Sequence, residues 1–205
     1  MLRLSSLTKS FADPVPRPVL QSVDLMLQDG EFVAIMGESG SGKSTLLNLI
    51  AGLDKPDAGQ VELDGMRLDT LADDAMTRLR RTAMGFVFQA FHILPQISVA
   101  RNVALPLVLN GVPAAEIPAR TQAMLTAVGL GDRAHSMPRQ LSGGELQRTA
   151  IARALVHGPR LMLADEPTGN LDSESANLVL QLLRDRVTAA GASCILVTHS
   201  AAAAA

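Results

Sequence analysis

Gly37-Glu38-Ser39-Gly40-Ser41-Gly42-Lys43-Ser44-Thr45 is a complete G-x-x-x-x-G-K-[ST] loop, and it follows the apolar run Phe32-Val33-Ala34-Ile35-Met36. Glycines at this spacing let successive backbone N–H groups turn inward around phosphates without Cβ clashes. The lysine, here Lys43, reaches the β- and γ-phosphates as a point charge, and the next hydroxyl, Ser44, suits Mg²⁺. The run before the loop reads as a strand. Residues 44–51 after it (STLLNLIA) read as a buried helix whose N-terminus faces the phosphates. Strand, loop and helix together predict a nucleoside triphosphate site in an α/β protein.

A phosphate loop alone does not choose between kinases, GTPases, helicases and transport ATPases. Leu161-Met162-Leu163-Ala164-Asp165-Glu166 supplies a second anchor: four apolar residues read as a central buried strand that delivers two carboxylates at its C-terminal end. There Asp165 suits Mg²⁺ and Glu166 suits the polarisation of an attacking water. Alone, the two acids read equally well as a solvated pair at a strand end; the loop upstream tips the reading to catalysis. A third stretch is Leu141-Ser142-Gly143-Gly144-Glu145-Leu146-Gln147-Arg148, in which Ser142 suits an N-cap. Gly143 and Gly144 at the first turn leave N–H groups open to an anion, although locally this is also an ordinary capped helix.

These residues resemble the ATP-binding cassette (ABC) ATPases, and the resemblance covers nearly the whole chain. The LSGGE at 141–145 matches the family's signature motif, which places Ser142, Gly143, Gly144 and Glu145 against nucleotide. Phe11 stands where an aromatic side chain stacks on adenine, more usually a tyrosine. Gln89 matches a glutamine that serves Mg²⁺ and water and couples the site to a membrane partner. Asp172 matches the motif following the two acids, and His199 a histidine that contacts the γ-phosphate. Taken singly, Phe11 reads as an edge core residue, Gln89 as a strand-end polar group, His199 as a surface histidine and Asp172 as a helix cap. Their order along the chain carries the resemblance. It implies the ABC-ATPase form of the P-loop NTPase fold: a mainly parallel core sheet, an inserted helical subdomain and an N-terminal antiparallel β region. The expected division is a single domain over 1–205, with a catalytic core at 1–89 and 160–205 and the helical subdomain at 90–159. Helices are expected at 98–110, 113–128, 142–156 and 173–189, and Pro56-Asp57-Ala58-Gly59 reads as a turn before a strand at 60–63.

Composition agrees. A chain of 205 residues suffices for one α/β core, and a net charge of −2 gives no electrostatic reason to expect nucleic acid. The longest apolar runs fall short of the roughly 20 residues that span a bilayer. The N-terminus carries no signal-like apolar stretch, so the expected location is the cytoplasmic face of the inner membrane, held through a permease. The single cysteine, Cys194, lies in an apolar strand pattern and reads as buried packing.

One copy of each motif implies a dimer, since in the family the phosphate loop of one subunit faces the signature motif of another across ATP. Phe91-His92-Ile93-Leu94-Pro95 and Asn102-Val103-Ala104-Leu105-Pro106-Leu107 look like the lipoprotein-releasing and macrolide-efflux branch, and read as an exposed apolar surface that grips a membrane partner. That resemblance implies an ATP-hydrolysing subunit powering export or extraction of a lipoprotein, peptide or drug through a separate permease. The alternative is a soluble ATPase of the same class acting on nucleic acid or ribosomes. Arg101 and Ser200 depart from the branch pattern, where acids are usual. The chain closes on alanines at 201–205 where the family continues through further strands, which reads as a truncated or naturally shortened form.

Overall fold

The computed structural model describes residues 1–12 and 16–200; the terminal alanines, and the expectation resting on them, lie outside the described residues. The strands form two sheets. An antiparallel sheet takes β1 (Leu2–Ala12), β2 (Pro16–Leu27), β4 (Ala58–Leu63) and β5 (Met66–Arg67) in the order β2-β1-β4-β5. A parallel sheet takes β3 (Phe32–Met36), β6 (Met84–Phe88), β7 (Leu161–Asp165) and β8 (Ser193–Thr198) in the order β3-β8-β7-β6. The helices are α1 (Lys43–Ile50), α2 (Asp73–Ala83), α3 (Val99–Leu109), α4 (Ile117–Ala127), α5 (Gly143–Leu155) and α6 (Ser173–Ala189).

The two-residue period of a strand sends alternate side chains to opposite faces. Leu161, Leu163, Ile195 and Val197 accordingly join a core built around α1 and the antiparallel sheet, through Leu46, Leu49, Ile50, Leu4 and Leu27. Their neighbours Met162, Ala164, Cys194 and Leu196 join a second core with Val179, Leu183 and Val187 of α6 and Ile151 and Leu155 of α5. A third core belongs to the helical insertion, where Val99, Val103 and Leu107 of α3 meet Leu125 of α4. Ala152 and Val156, beside the α5 residues that face the sheet, belong to that third core. Helix α5 is therefore the wall shared by the sheet and the insertion.

The predicted elements are present, with four differences. Helix α2 was not expected from the sequence; it opens on Asp73 and Asp74 and closes on Arg80 and Arg81, which suits the helix dipole, but buries only Met76. Helix α4 begins at Ile117 rather than 113, because residues 114–116 form a turn first. Ala58 and Gly59, expected in a turn, already belong to β4, where Ala58 stands opposite Thr8. The 91–107 stretch is not an open apolar surface: Asn102, Val103 and Leu107 are fully buried, and of its large apolar side chains Leu94 is the exposed one, with Val108 and Leu109 exposed just beyond it.

Two predictions follow from the packing. A Cβ on Gly85 would lie 2.4 Å from the Ala154 carbonyl oxygen and 2.4 Å from the Met162 sulfur, where α5 meets β6. Gly85→Ala is expected to lower the unfolding free energy by about 1–3 kcal/mol, read as a shifted urea midpoint at unchanged slope. Burial pushes the Cys194 thiol up to about 12. Cys194 should therefore resist a thiol reagent in the native protein at neutral pH and react once denatured; rapid native labelling would contradict the packing.

Candidate active site

The phosphate loop leaves β3 and turns into α1. Gly40 and Gly42 hold φ of +79° and +93°, and a Cβ on Gly42 would lie 2.7 Å from Val19 Cγ1, so glycine is required there on two counts. Gly37 is tight as well, since its Cβ would lie 2.8 Å from Ser41 Oγ. The Lys43 ammonium donates to the carbonyls of Gly37 and Glu38, each at 2.8 Å. First-turn N–H groups of a helix have no intrahelical acceptor, which makes this end of α1 an anion seat.

Parallel register brings the other groups alongside. Met36 pairs with Thr198, and Asp165 with Val197, so the ends of three strands converge. Ser44 Oγ donates to Asp165 Oδ1 at 3.1 Å. Burial raises the Asp165 pKa above the ordinary value, against the opposing hydrogen bond from Ser44. These two hard oxygen donors fit Mg²⁺. Among the described residues no cluster of three or more His, Cys, Asp or Glu side chains is arranged to hold a metal. This donor set suits a cation that draws its remaining ligands from phosphate and water.

Glu166 follows directly, in a left-handed conformation (φ 48°) that costs a bulky residue about 1–3 kcal/mol. Its backbone is fixed on both sides, the N–H donating to Val197 O and the carbonyl accepting from Gly169 N, each at 3.0 Å. Its carboxylate faces His199, with Nδ1 2.9 Å from Oε2; the glutamate side chain is 18 % exposed and the histidine 65 %. Gln89 and Asn170 clasp each other: Gln89 Nε2 donates to Asn170 Oδ1 at 3.2 Å, and Asn170 Nδ2 to Gln89 O at 2.9 Å. Phe11 is half exposed at the end of β1, with Lys9 Nζ 5.3 Å from its ring centroid. Asp54 Oδ1 and Lys55 O fix that ammonium at 2.9 and 2.7 Å.

Phe11, Glu38, Ser39, Gly40, Gly42, Lys43, Ser44, Thr45, Gln89, Asp165, Glu166 and His199 line one cavity of about 810 Å³, together with Val19, which the sequence did not single out. Gly37 and Ser41 shape the loop from within. Ser142, Gly143, Gly144, Glu145 and Asp172 do not line it. Asp172 caps α6, accepting from Ser175 N at 2.9 Å. Ser142 and Glu145 form a reciprocal capping box on α5: Ser142 N donates to Glu145 Oε2 at 2.8 Å, and Glu145 N to Ser142 Oγ at 3.3 Å. The Glu145 carboxylate also faces Arg133 at 3.3 Å, so within this chain it serves its own helix and that arginine.

A phosphate loop, a paired acid at a strand end and a capped LSGGE helix, set on this pair of sheets, match the ABC transporter family over residues 20–169. The chain belongs to the ABC transporter family. The macrolide export ATP-binding/permease protein MacB of Marinobacter nauticus is 48 % identical over 200 residues, covering 97 % of this chain but 31 % of that protein. The lipoprotein-releasing system ATP-binding protein LolD of Anaeromyxobacter dehalogenans is 49 % identical over 200 residues, covering 97 % of this chain and 84 % of its own length. The chain thus spans about a third of the MacB relatives' length. Among solved structures, the ATP-binding cassette MJ0796, a dimer in a post-hydrolysis state bound to ADP and Pi, superposes at a TM-score of 0.89 with 41 % identity. The match covers 100 % of this chain and 90 % of that one.

Past Gln89 this cassette makes a reversal the sequence did not foretell. Phe91 and His92 are both left-handed, at φ 57° and 50°. Arg153 of α5 donates to both carbonyls, 2.6 Å to His92 O and 3.0 Å to Phe91 O. Two adjacent residues in this region cost about 1–3 kcal/mol each, and charge-assisted hydrogen bonds of this kind are large enough to hold them.

The capping box generates a pH prediction. The Ser142 N–H holds the Glu145 carboxyl below its ordinary value of 4.5, and the Ser142 hydroxyl and Arg133 add to the effect. A depressed folded-state pKa gives stability that is fully present above the unfolded value and lost as pH falls through the folded one. Wild type should therefore exceed Glu145→Gln in thermal midpoint at neutral pH, and the difference should vanish below the ordinary carboxylate range. Ser142→Ala is expected to cost about 1 kcal/mol at neutral pH.

Proposed function

We propose that the cassette binds and hydrolyses Mg-ATP to drive a separate membrane permease, as one half of a dimer. The observation that carries the reading is the Glu166–His199 pair, 2.9 Å apart, in the cavity that also holds Lys43, Ser44 and Asp165. Lys43 and the first-turn N–H groups of α1 bind the phosphates, and Phe11, backed by Lys9, offers a ring for the base to stack on. Magnesium, held by Ser44 and Asp165 with Gln89 beside them, would neutralise charge on the β- and γ-phosphates. Glu166 accepts a proton from the attacking water. His199 orients that carboxylate through Nδ1 and presents an exposed ring to the γ-phosphate.

Ser142, Gly143 and Gly144 lie outside this chain's own cavity, which supports a head-to-tail partner: a second copy's α5 end closes the open side of the phosphates. Asp172 and Glu145 belong to the same closing surface. Hydrolysis removes the γ-phosphate contacts and lets the halves part. Among the described residues no helix is long and apolar enough to cross a membrane. On the relation to MacB and LolD, the reading places the cassette on the cytoplasmic face, peripheral to an integral permease, with a lipoprotein, peptide or drug as cargo and no direct nucleic-acid partner. The relation to MacB and LolD supports export or extraction.

Turnover by the purified protein and by Glu166→Gln, with light scattering in the presence and absence of Mg-ATP, tests this reading. Loss of the general base should lower kcat by about 10²–10⁴-fold while ATP-dependent dimers accumulate. Unimpaired turnover in Glu166→Gln would remove Glu166 from the catalytic role.

A further inference from the structure

Three features of the turn after Gln89 converge on α5. Phe91 and His92 are consecutive non-glycine residues held left-handed. Arg153 spans both of their carbonyls, and no carboxylate pairs with it among the described residues, so these backbone bonds are where its charge is spent. At the other end of the same helix, a methyl placed on Gly143 would lie 4.0 Å from Phe91 Cζ, so the phenylalanine ring reaches the first turn of α5. The His92 ring folds back on Phe88, with centroids 4.8 Å apart. Buried Asn102 then fixes the following loop, accepting from Leu94 N at 2.8 Å and donating to Leu94 O at 3.0 Å.

We propose that Arg153 is a positioning residue that fastens the turn after Gln89 to α5, so that Gln89 and the Ser142–Gly144 end of that helix are displaced together. A planar guanidinium meets two carbonyls at once, whereas an ammonium is a single point charge. The strain gives the fastening its meaning: without the fork, the Phe91–His92 turn has a lower-energy conformation to relax into, and Gln89 keeps only looser links to the start of α5, through the Phe91 ring and through Asn170, whose carbonyl oxygen would lie 4.0 Å from a methyl on Gly143. A shift at the nucleotide cavity then reaches the helix end that would meet a second copy only in weakened form. This deepens the role given to Gln89 above and rests on that reading.

Amide hydrogen exchange on Arg153→Lys, His92→Gly and the double variant tests the fastening in the nucleotide-free protein. Losing a charge-assisted bond should accelerate exchange over residues 90–94 at least about tenfold in Arg153→Lys, with β7 and β8 unchanged. His92→Gly removes the strain at one of the two positions, so adding Arg153→Lys to it should accelerate exchange by a smaller factor. Unchanged exchange over 90–94, or acceleration spread evenly across the chain, overturns the proposal. A second arm adds magnesium adenylyl imidodiphosphate at a concentration where light scattering shows monomer. Wild type should slow exchange over both 37–46 and 142–147, and Arg153→Lys should slow 37–46 equally but 142–147 by a smaller factor; equal slowing of 142–147 in both proteins also overturns it. If wild type shows no slowing over 37–46, the nucleotide reading fails, and the nucleotide-free comparison still decides whether Arg153 fastens the turn.

Discussion

Burial of β7 and β8 on both faces is the constraint from which the site follows. Their alternating side chains are divided between two cores, so no polar group that meets water or a ligand is admitted along their length. Chemistry is confined to the places where the strands stop. With adjacent strands about 4.8 Å apart, the register that aligns Met36 with Thr198 and Val197 with Asp165 brings the phosphate loop, the two acids and His199 to one edge. Burial there does a second thing: it disfavours the charged form of Asp165, which is the condition under which a cation beside it is most welcome.

Local backbone rules are broken next to that edge. Glu166, Phe91 and His92 are left-handed without being glycine, and each is over-determined by partners from distant segments. Such strain persists only where the surroundings enforce it, and here the enforcers are β8 for Glu166 and α5 for the turn. Helix α5 can do this because it is itself pinned from two sides, by Ile151 and Leu155 against the sheet and by Ala152 and Val156 against the insertion.

Much of the site was legible because its chemistry is contiguous in sequence. Lys43, Ser44 and the loop glycines form one nine-residue signal, Asp165 and Glu166 end one apolar run, and the Ser142–Glu145 cap needs only a helix start three residues long. What escaped depends on partners far away in the chain. Arg153 meets carbonyls 61 and 62 positions upstream, and Val19 touches Gly42 from another sheet. Nothing local marks either of them. Asn170 stands in the motif that ends at Asp172, but its clasp on Gln89 spans 81 positions and is not legible there. Helix α2 escaped for a different reason: its apolar stripe is narrow, Met76 and Leu79 set among acids and arginines. The apolar run at 103–107 misled in the opposite sense, because an insertion with its own core uses the same residues that an exposed docking strip would.

The Lys43 ammonium is hydrogen-bonded to Gly37 O and Glu38 O, two carbonyls of its own loop. The loop is thereby propped open around its own charge, and its lysine is never a bare cation waiting for an anion. An ammonium carries three N–H donors, so with two spent on the loop the third remains for an anion. One side chain thus both supplies the positive charge and fixes the shape of the backbone that surrounds it.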